Sequence, residues 1–297
     1  MNNYSIKDLE RISGIKAHTI RIWEKRYNLI QPERTSTNIR YYDNSDLTKI
    51  LNIAILKDNG FKISKIVEME SDEMRERVVE ITSSKANHSD HTNVIEGLTI
   101  AMIEFDDNRF EKILNNAILR MGFEETIINI IHPFFVRIGV LWQVGSINPA
   151  QEHFVSNLIR QKLLVAIDGY SGNVTEGAKR YLLFLPEGEL HELGLLFYNF
   201  LIVKSGHRAL YLGQSVPVVS IVDTVDQMPV DYIVTSLHST NSKKSFVAQL
   251  SEILTQIPEI PVFLTNRIDF DISISNIERV HYNLSPKAFN EMLKIKV

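Results

Sequence analysis

At 297 residues, with 44% hydrophobic and 23% charged side chains, the chain is too long for one ordinary core and has the composition of a soluble protein of two or three domains. It holds no cysteine, no apolar run of membrane-spanning length and no basic-then-apolar opening, which excludes disulfides, thiolate zinc sites and cysteine nucleophiles and leads to the expectation of a cytoplasmic protein that meets no membrane. The net charge of −4 is unevenly spread: residues 1–67 carry 12 Lys and Arg against 7 Asp and Glu, so a basic head precedes an acidic body and favours a polyanion at one end only.

Ser5 to Ser13 reads as a short helix capped by Ser5, with Ile6, Leu9 and Ile12 on one face. Gly14-Ile15-Lys16 supplies a turn, and a second helix is expected from about Ala17 to Tyr27. In a helix-turn-helix this second helix enters the major groove. His18, Arg21 and Lys25 share its polar face and Arg26 joins them as a candidate DNA contact, while Ile20 and Trp23 turn toward the core. Polar turn residues between two short extended pieces, from Leu29 to Tyr42, then read as a hairpin wing carrying Arg34, Arg40 and Tyr41. Arginine forks bind guanine edges or phosphate, and hydroxyls hold the backbone. A plain helical domain with a solvated basic face would explain the charge but not the order helix, turn, helix, basic hairpin. Two supporting helices are expected over Asp46–Asn59 and Lys62–Met69.

Thr19-Ile20-Arg21-Ile22-Trp23-Glu24-Lys25-Arg26-Tyr27, with Pro32-Glu33-Arg34-Thr35 and Ile39-Arg40-Tyr41-Tyr42 after it, resembles the winged-helix head of MerR-type transcription regulators. The resemblance covers residues 1–70. It implies a dimer reading an inverted repeat in double-stranded DNA, with Arg21 and Lys25 in the groove and Arg34 and Arg40 on the flanking backbone. Many members follow the head with a long dimerisation helix, whereas residues 71–93 here are polar and weakly periodic and read as a linker. Oligomerisation, as dimer or tetramer, is then expected of the C-terminal part.

Residues 94–176 read as a four-helix cap: apolar positions recur at helical spacing from Leu98 to Ile118, and helical stretches follow over Phe123–Trp142 and Pro149–Tyr170. Trp142 is followed after nine residues by Glu152-His153. On its own this arrangement is more often structural than functional. In a chain with this head it resembles the cap signature of the CarH/LitR light-responsive regulators, and the resemblance implies that Trp142, Glu152 and His153 enclose the adenosyl group of a bound adenosylcobalamin. Those photoreceptors carry next a histidine that captures cobalt after light; Gln143 stands here, and an amide is no equivalent nitrogen ligand. A bis-histidine photoproduct is not expected.

From residue 177 to 297 strands alternate with helices: Tyr181–Leu185, Ala209–Leu212, Tyr232–Ser236, Val262–Leu264 and Val280–Tyr282 are the expected strands. This pattern argues a Rossmann-like (flavodoxin-like) parallel sheet, which binds ligands beyond the carboxyl ends of its strands. The fold class expected for the whole chain is therefore multidomain α and α/β. Glu189-x-His191-x-x-Gly194 follows the first strand. A lone histidine after a strand is usually a loop residue, and a zinc protease is excluded because no second histidine lies four residues beyond His191. The run resembles the lower-ligand motif of cobalamin-binding domains, which implies that His191 binds cobalt, Glu189 orients its ring and Gly194 lets the corrin approach. By the same resemblance Tyr211-Leu212-Gly213 lines the cofactor, and Thr235-x-Leu237 lies beside its nucleotide tail. Where the family then has Gly-Gly, this chain has Thr265-Asn266, whose side chains narrow that slot.

Three functions follow as expectations. The first is a DNA-binding repressor, not an enzyme, whose assembly a cobalamin controls. The second is a cobalamin-independent regulator that keeps the degenerate sensor fold as an oligomerisation module or for a protein partner. The third, a corrinoid enzyme or carrier, leaves the head unexplained.

Overall fold

The computed structural model describes residues 4–34, 38–83, 91–143, 147–237, 243–265, 278–282 and 285–294. It divides into two compact units, Met1–Leu158 and Ile159–Val297.

In the first unit, local capping chemistry sets the head. Ser5 Oγ accepts the Asp8 backbone N–H at 3.2 Å while the Asp8 carboxylate accepts that of Ser5 at 2.8 Å, a reciprocal cap that starts α1 (Ile6–Ser13). Gly14, at φ 72°, ends it. Helix α2 (Ala17–Tyr27) closes on Asn28 in the left-handed region, and β1 (Glu33–Arg34) pairs antiparallel with β2 (Arg40–Tyr41) to make the wing. A second reciprocal cap, between Asp43 and Asp46, starts α3 (Asn44–Asp58). Leu47, Ile50, Leu51, Ile53, Ala54, Ile55 and Leu56 are all buried, so this helix is enclosed on nearly every side. Helix α4 (Ile63–Ile66) is one turn, shorter than the stretch expected.

The expected linker needs correction. Ser71–Ser83 forms a 13-residue helix, α5, which buries Met74, Val78 and Thr82 and packs against α3. Those three residues recur every fourth position, but with one short polar member the apolar stripe is too thin to stand out against the charges around it. Four further segments build the helical layer: α6 (Thr92–Glu104), α7 (Asp107–Met121), the run from α8 (Phe123–Thr126) through a π-turn at Ile127–Ile131 into α9 (His132–Gln143), and α10 (Pro149–Asp168), whose residues from Ile159 onward belong to the second unit. Arg137 of α9 donates to the Ile12 carbonyl at 2.7 Å and lies 3.6 Å from Glu96 of α6, so one guanidinium links α1, α6 and α9.

The second unit is a five-stranded, all-parallel sheet in the order β4-β3-β5-β6-β7. The strands are β3 (Arg180–Pro186), β4 (Arg208–Val216), β5 (Tyr232–Thr235), β6 (Val262–Leu264) and β7 (Val280–Tyr282); the helices are α11 (Leu193–Lys204), α12 (Val218–Gln227), α13 (Lys243–Gln256) and α14 (Pro286–Lys294). Tyr181 to Leu185 is buried without alternation, as a central strand covered on both faces requires. The chain leaves β3 for β4 on one side and later takes β5 on the other. The carboxyl end of β3 is thus the point where the strand order reverses, and a crevice opens there in sheets of this kind. The expected architecture of winged head, helical cap and flavodoxin-like sheet is the one observed.

Candidate functional site

Two places gather the side chains that the sequence singles out, one in each unit. On α2 the exposed residues are His18, Arg21, Ile22, Lys25 and Arg26, a single face at helical spacing, while Ile20 and Trp23 turn inward and are buried. The Arg26 guanidinium lies 5.2 Å from the Tyr27 ring centre. In the wing, Arg34 is exposed and donates to Asn38 Oδ1 at 2.6 Å, and the Tyr41 hydroxyl donates to Glu33. Arg40 is half-buried: its Nε donates to Glu24 Oε1 at 3.3 Å, and the Tyr42 hydroxyl donates to Glu24 Oε2 at 3.2 Å. One carboxylate on α2 therefore fixes the wing strand that carries Arg40.

Burial, with the negative charge of Glu24 beside it, pushes the Tyr42 phenol up to about 12. An unfolded tyrosine ionises near pH 10. Tyr42 thus favours the folded head below that pH, and the contribution is lost as pH rises from about 10 through about 12. Urea unfolding midpoints should fall across that window, and Tyr42→Phe should lessen the fall; an unchanged slope would show that the phenol is not linked to folding.

In the second unit the loop after β3 is held by a buried carboxylate. Glu189 is 1% exposed, and its Oε1 accepts the backbone N–H of Leu190 at 2.9 Å and of His191 at 3.0 Å. The same oxygen lies 2.6 Å from His191 Nδ1, and the His191 side chain is 69% exposed. A buried carboxylate accepting from Nδ1–H selects the tautomer whose lone pair is on Nε2. The loop is also clamped from β4: Ser215 N donates to the Glu189 carbonyl at 3.2 Å, Ser215 Oγ accepts from Gly188 N at 3.1 Å, and Gln214 Nε2 donates to the Leu190 carbonyl at 2.7 Å. Gly194 is half-buried in the first turn of α11.

Sequence reasoning missed Glu192, the next residue. It is buried, with Oε1 2.7 Å from Arg160 Nη2 of α10 and Oε2 accepting the Tyr211 hydroxyl at 2.9 Å. Burial, reinforced by Glu192, raises the Tyr211 phenol. This places Tyr211 differently from the expected cofactor-lining end of a strand. Strand β4 runs on through an irregularity after Tyr211, where Leu183 pairs with Tyr211 but Phe184 pairs with Gly213, and continues to Val216.

Thr235, at the end of β5, is 1% exposed, and its Oγ1 has no hydrogen-bond partner among the described residues. A buried hydroxyl in that state carries a desolvation cost of about 1–3 kcal/mol until a donor or acceptor reaches it. Leu237 belongs to the buried cluster with Ile221, Ile233 and Phe246. Thr265 sits close by, its N–H donating to the Thr235 carbonyl at 3.1 Å and its carbonyl accepting from the Tyr198 hydroxyl at 3.3 Å; Asn266 lies outside the described residues. In the first unit, Glu152 Oε2 lies 3.0 Å from His153 Nδ1, and Glu152 Oε1 accepts the Ser156 hydroxyl at 2.7 Å. The side chains of Trp142 and Gln143 lie outside the described set.

Residues 4–73 match the MerR HTH family regulatory proteins, and residues 94–166 match the B12 binding domain. The chain is 24% identical over 265 residues to the HTH-type transcriptional repressor CarH of Myxococcus xanthus, covering 88% of each chain. It is 25% identical over 259 residues to the repressor CarA of the same organism, covering 86% of this chain and 84% of CarA. Among solved structures, the monomethylamine corrinoid protein of Methanosarcina barkeri superposes with a TM-score of 0.57 at 14% identity, over 70% of this chain and 100% of that one, a likeness of fold.

Proposed function

We propose that this chain, which joins a MerR HTH domain to a B12-binding domain and is homologous to the CarH and CarA transcriptional repressors, is a DNA-binding transcriptional regulator and not an enzyme, working in the cytoplasm and controlled by a cobalamin. The observation that carries the sensing half is the Glu189–His191 pair at the carboxyl end of β3, where buried carboxylate and exposed imidazole meet at 2.6 Å. The donor set fits a cobalt corrinoid: the tautomer held by Glu189 presents Nε2 as the ligating nitrogen, and the Thr235 hydroxyl awaits a partner where the nucleotide tail would lie. When bound, the group would supply a cobalt centre that a neutral imidazole can ligate. Glu152 and His153 are the residues of the helical layer assigned to its adenosyl face, with Trp142.

DNA reading falls to Arg21, Lys25, His18 and Arg26 in the groove, with Arg34, Arg40 and Tyr41 at the flanking backbone of an inverted repeat. Repression is adopted because the two relatives matched over most of the chain, CarH and CarA, are repressors by name. The ligand acts by favouring one oligomeric assembly, dimer or tetramer, over another, and shifts that equilibrium only by its difference in affinity for the two. A second reading rests on Thr265, whose side chain stands where the family has glycine and whose backbone N–H donates to the Thr235 carbonyl. In it the sensor fold persists without cofactor, for oligomerisation or a protein partner.

Incubation of the full chain with adenosylcobalamin in darkness, then gel filtration with absorption, separates the two. Corrinoid colour should travel with the protein and the eluting mass should differ from that of the ligand-free chain. Elution without colour would remove the sensing half and leave the second reading. Colour that persists with no change of assembly on illumination would mark a ligand sensor that is not a photoreceptor.

A further inference from the structure

The exposed face of α2 holds one residue that charge does not explain. Its five positions recur at helical spacing; four are His18, Arg21, Lys25 and Arg26, and the one between them is Ile22, 53% exposed. A single exposed isoleucine on a protein surface usually needs no explanation. This one lies one turn from His18 on one side and one turn from Lys25 and Arg26 on the other, while the apolar residues flanking it, Ile20 and Trp23, supply the helix's core contacts. More than half of Ile22 therefore stays outside the core, and in the DNA-binding reading the cationic side chains around it hold phosphates and guanine edges.

We infer that Ile22 reads sequence, by packing its branched side chain on the 5-methyl group of a thymine in each half-site. This rests on the DNA-binding reading above and deepens it. The thymine methyl is the one apolar mark in the major groove, and an apolar side chain flanked by arginine and lysine is the complement to a thymine beside guanine or phosphate contacts. Burying a methyl is worth about fourfold in affinity.

The test starts by selecting duplexes from a random library with the full-length protein, which yields a bound sequence directly. Within the enriched duplex each thymine is then replaced singly by deoxyuridine, which removes only the methyl. One replacement per half-site should weaken the wild type about fourfold and leave Ile22→Ala unaffected. Ile22→Asn, selected afresh, should lose the thymine preference at that position and keep the others. The inference is overturned if the wild type tolerates deoxyuridine at every position, or if Ile22→Ala is as sensitive as the wild type. Enrichment of no sequence at all would instead remove the DNA-binding reading, and this inference with it. Because more than half of the side chain is exposed, both variants should fold as the parent does, which circular dichroism checks.

Discussion

Arg21→Ala and Lys25→Ala should each abolish most sequence-specific DNA binding, and Arg21→Ala should do more. Both side chains are exposed on the face of α2 that a helix-turn-helix presents to the major groove. Loss of a guanidinium fork on a base edge costs about 1–3 kcal/mol, or some five- to 150-fold, and a dimer incurs that loss in both half-sites. A lysine in the groove meets a base edge as a point charge rather than a planar fork, so its removal should cost less specificity than that of Arg21, and more of its contribution should vanish as salt rises. A gel-shift titration on selected duplex at several salt concentrations separates the two behaviours. Arg40→Ala makes the informative comparison. Its Nε donates to Glu24, so it should loosen the wing as well as any backbone contact, and its effect should be partly rescued by Arg40→Lys. Unchanged specific binding in both α2 variants would take the recognition role away from this helix.

How much of this was legible in the residues depended on whether the signal was local. The cap at Ser5 and Asp8, the glycine stop at Gly14 and the paired strands of the wing are each decided within a few residues, and the head came out nearly as expected. The sheet was legible for a different reason: central parallel strands such as Tyr181–Leu185 are unbroken apolar runs. Helix α5 escaped because it packs with three residues, Met74, Val78 and Thr82, and tertiary contact rather than periodicity holds it. The π-turn at Ile127–Ile131 escaped too, since an extra residue per turn leaves a run of isoleucines looking helical. At the ligand loop the Glu189–His191 relation was readable at a spacing of two, whereas the Arg160–Glu192–Tyr211 network joins residues far apart in sequence and only folding brings them together. Ile22 was not singled out in the sequence, because an isoleucine between Ile20 and Trp23 carries no mark of exposure until the helix is placed.

Removing His191 should eliminate corrinoid retention, and altering Glu189 should weaken it by a distinct route. His191→Ala deletes the only imidazole that Glu189 orients among the described residues, while its exposed ring contributes little packing, so the variant should fold normally and elute without colour. Glu189 is more demanding. Its Oε1 satisfies two backbone N–H groups and the imidazole together, and Glu189→Ala would remove the one carboxylate oxygen that ties all three and so loosen the loop. Loss of colour in that variant would therefore not separate orientation from collapse of the loop. Glu189→Gln does separate them, because an amide oxygen can still accept the two backbone bonds while the charge that strengthens the Nδ1–H bond is gone. Thermal unfolding of Glu189→Gln should lie close to the parent, and its affinity for adenosylcobalamin should fall about ten- to 100-fold, the usual cost of losing a partner behind a metal-binding histidine. Equal retention of colour by His191→Ala and the parent would detach cobalt from this loop altogether. A Glu189→Gln variant with full affinity would leave His191 as ligand but show that its ring needs no carboxylate to hold it.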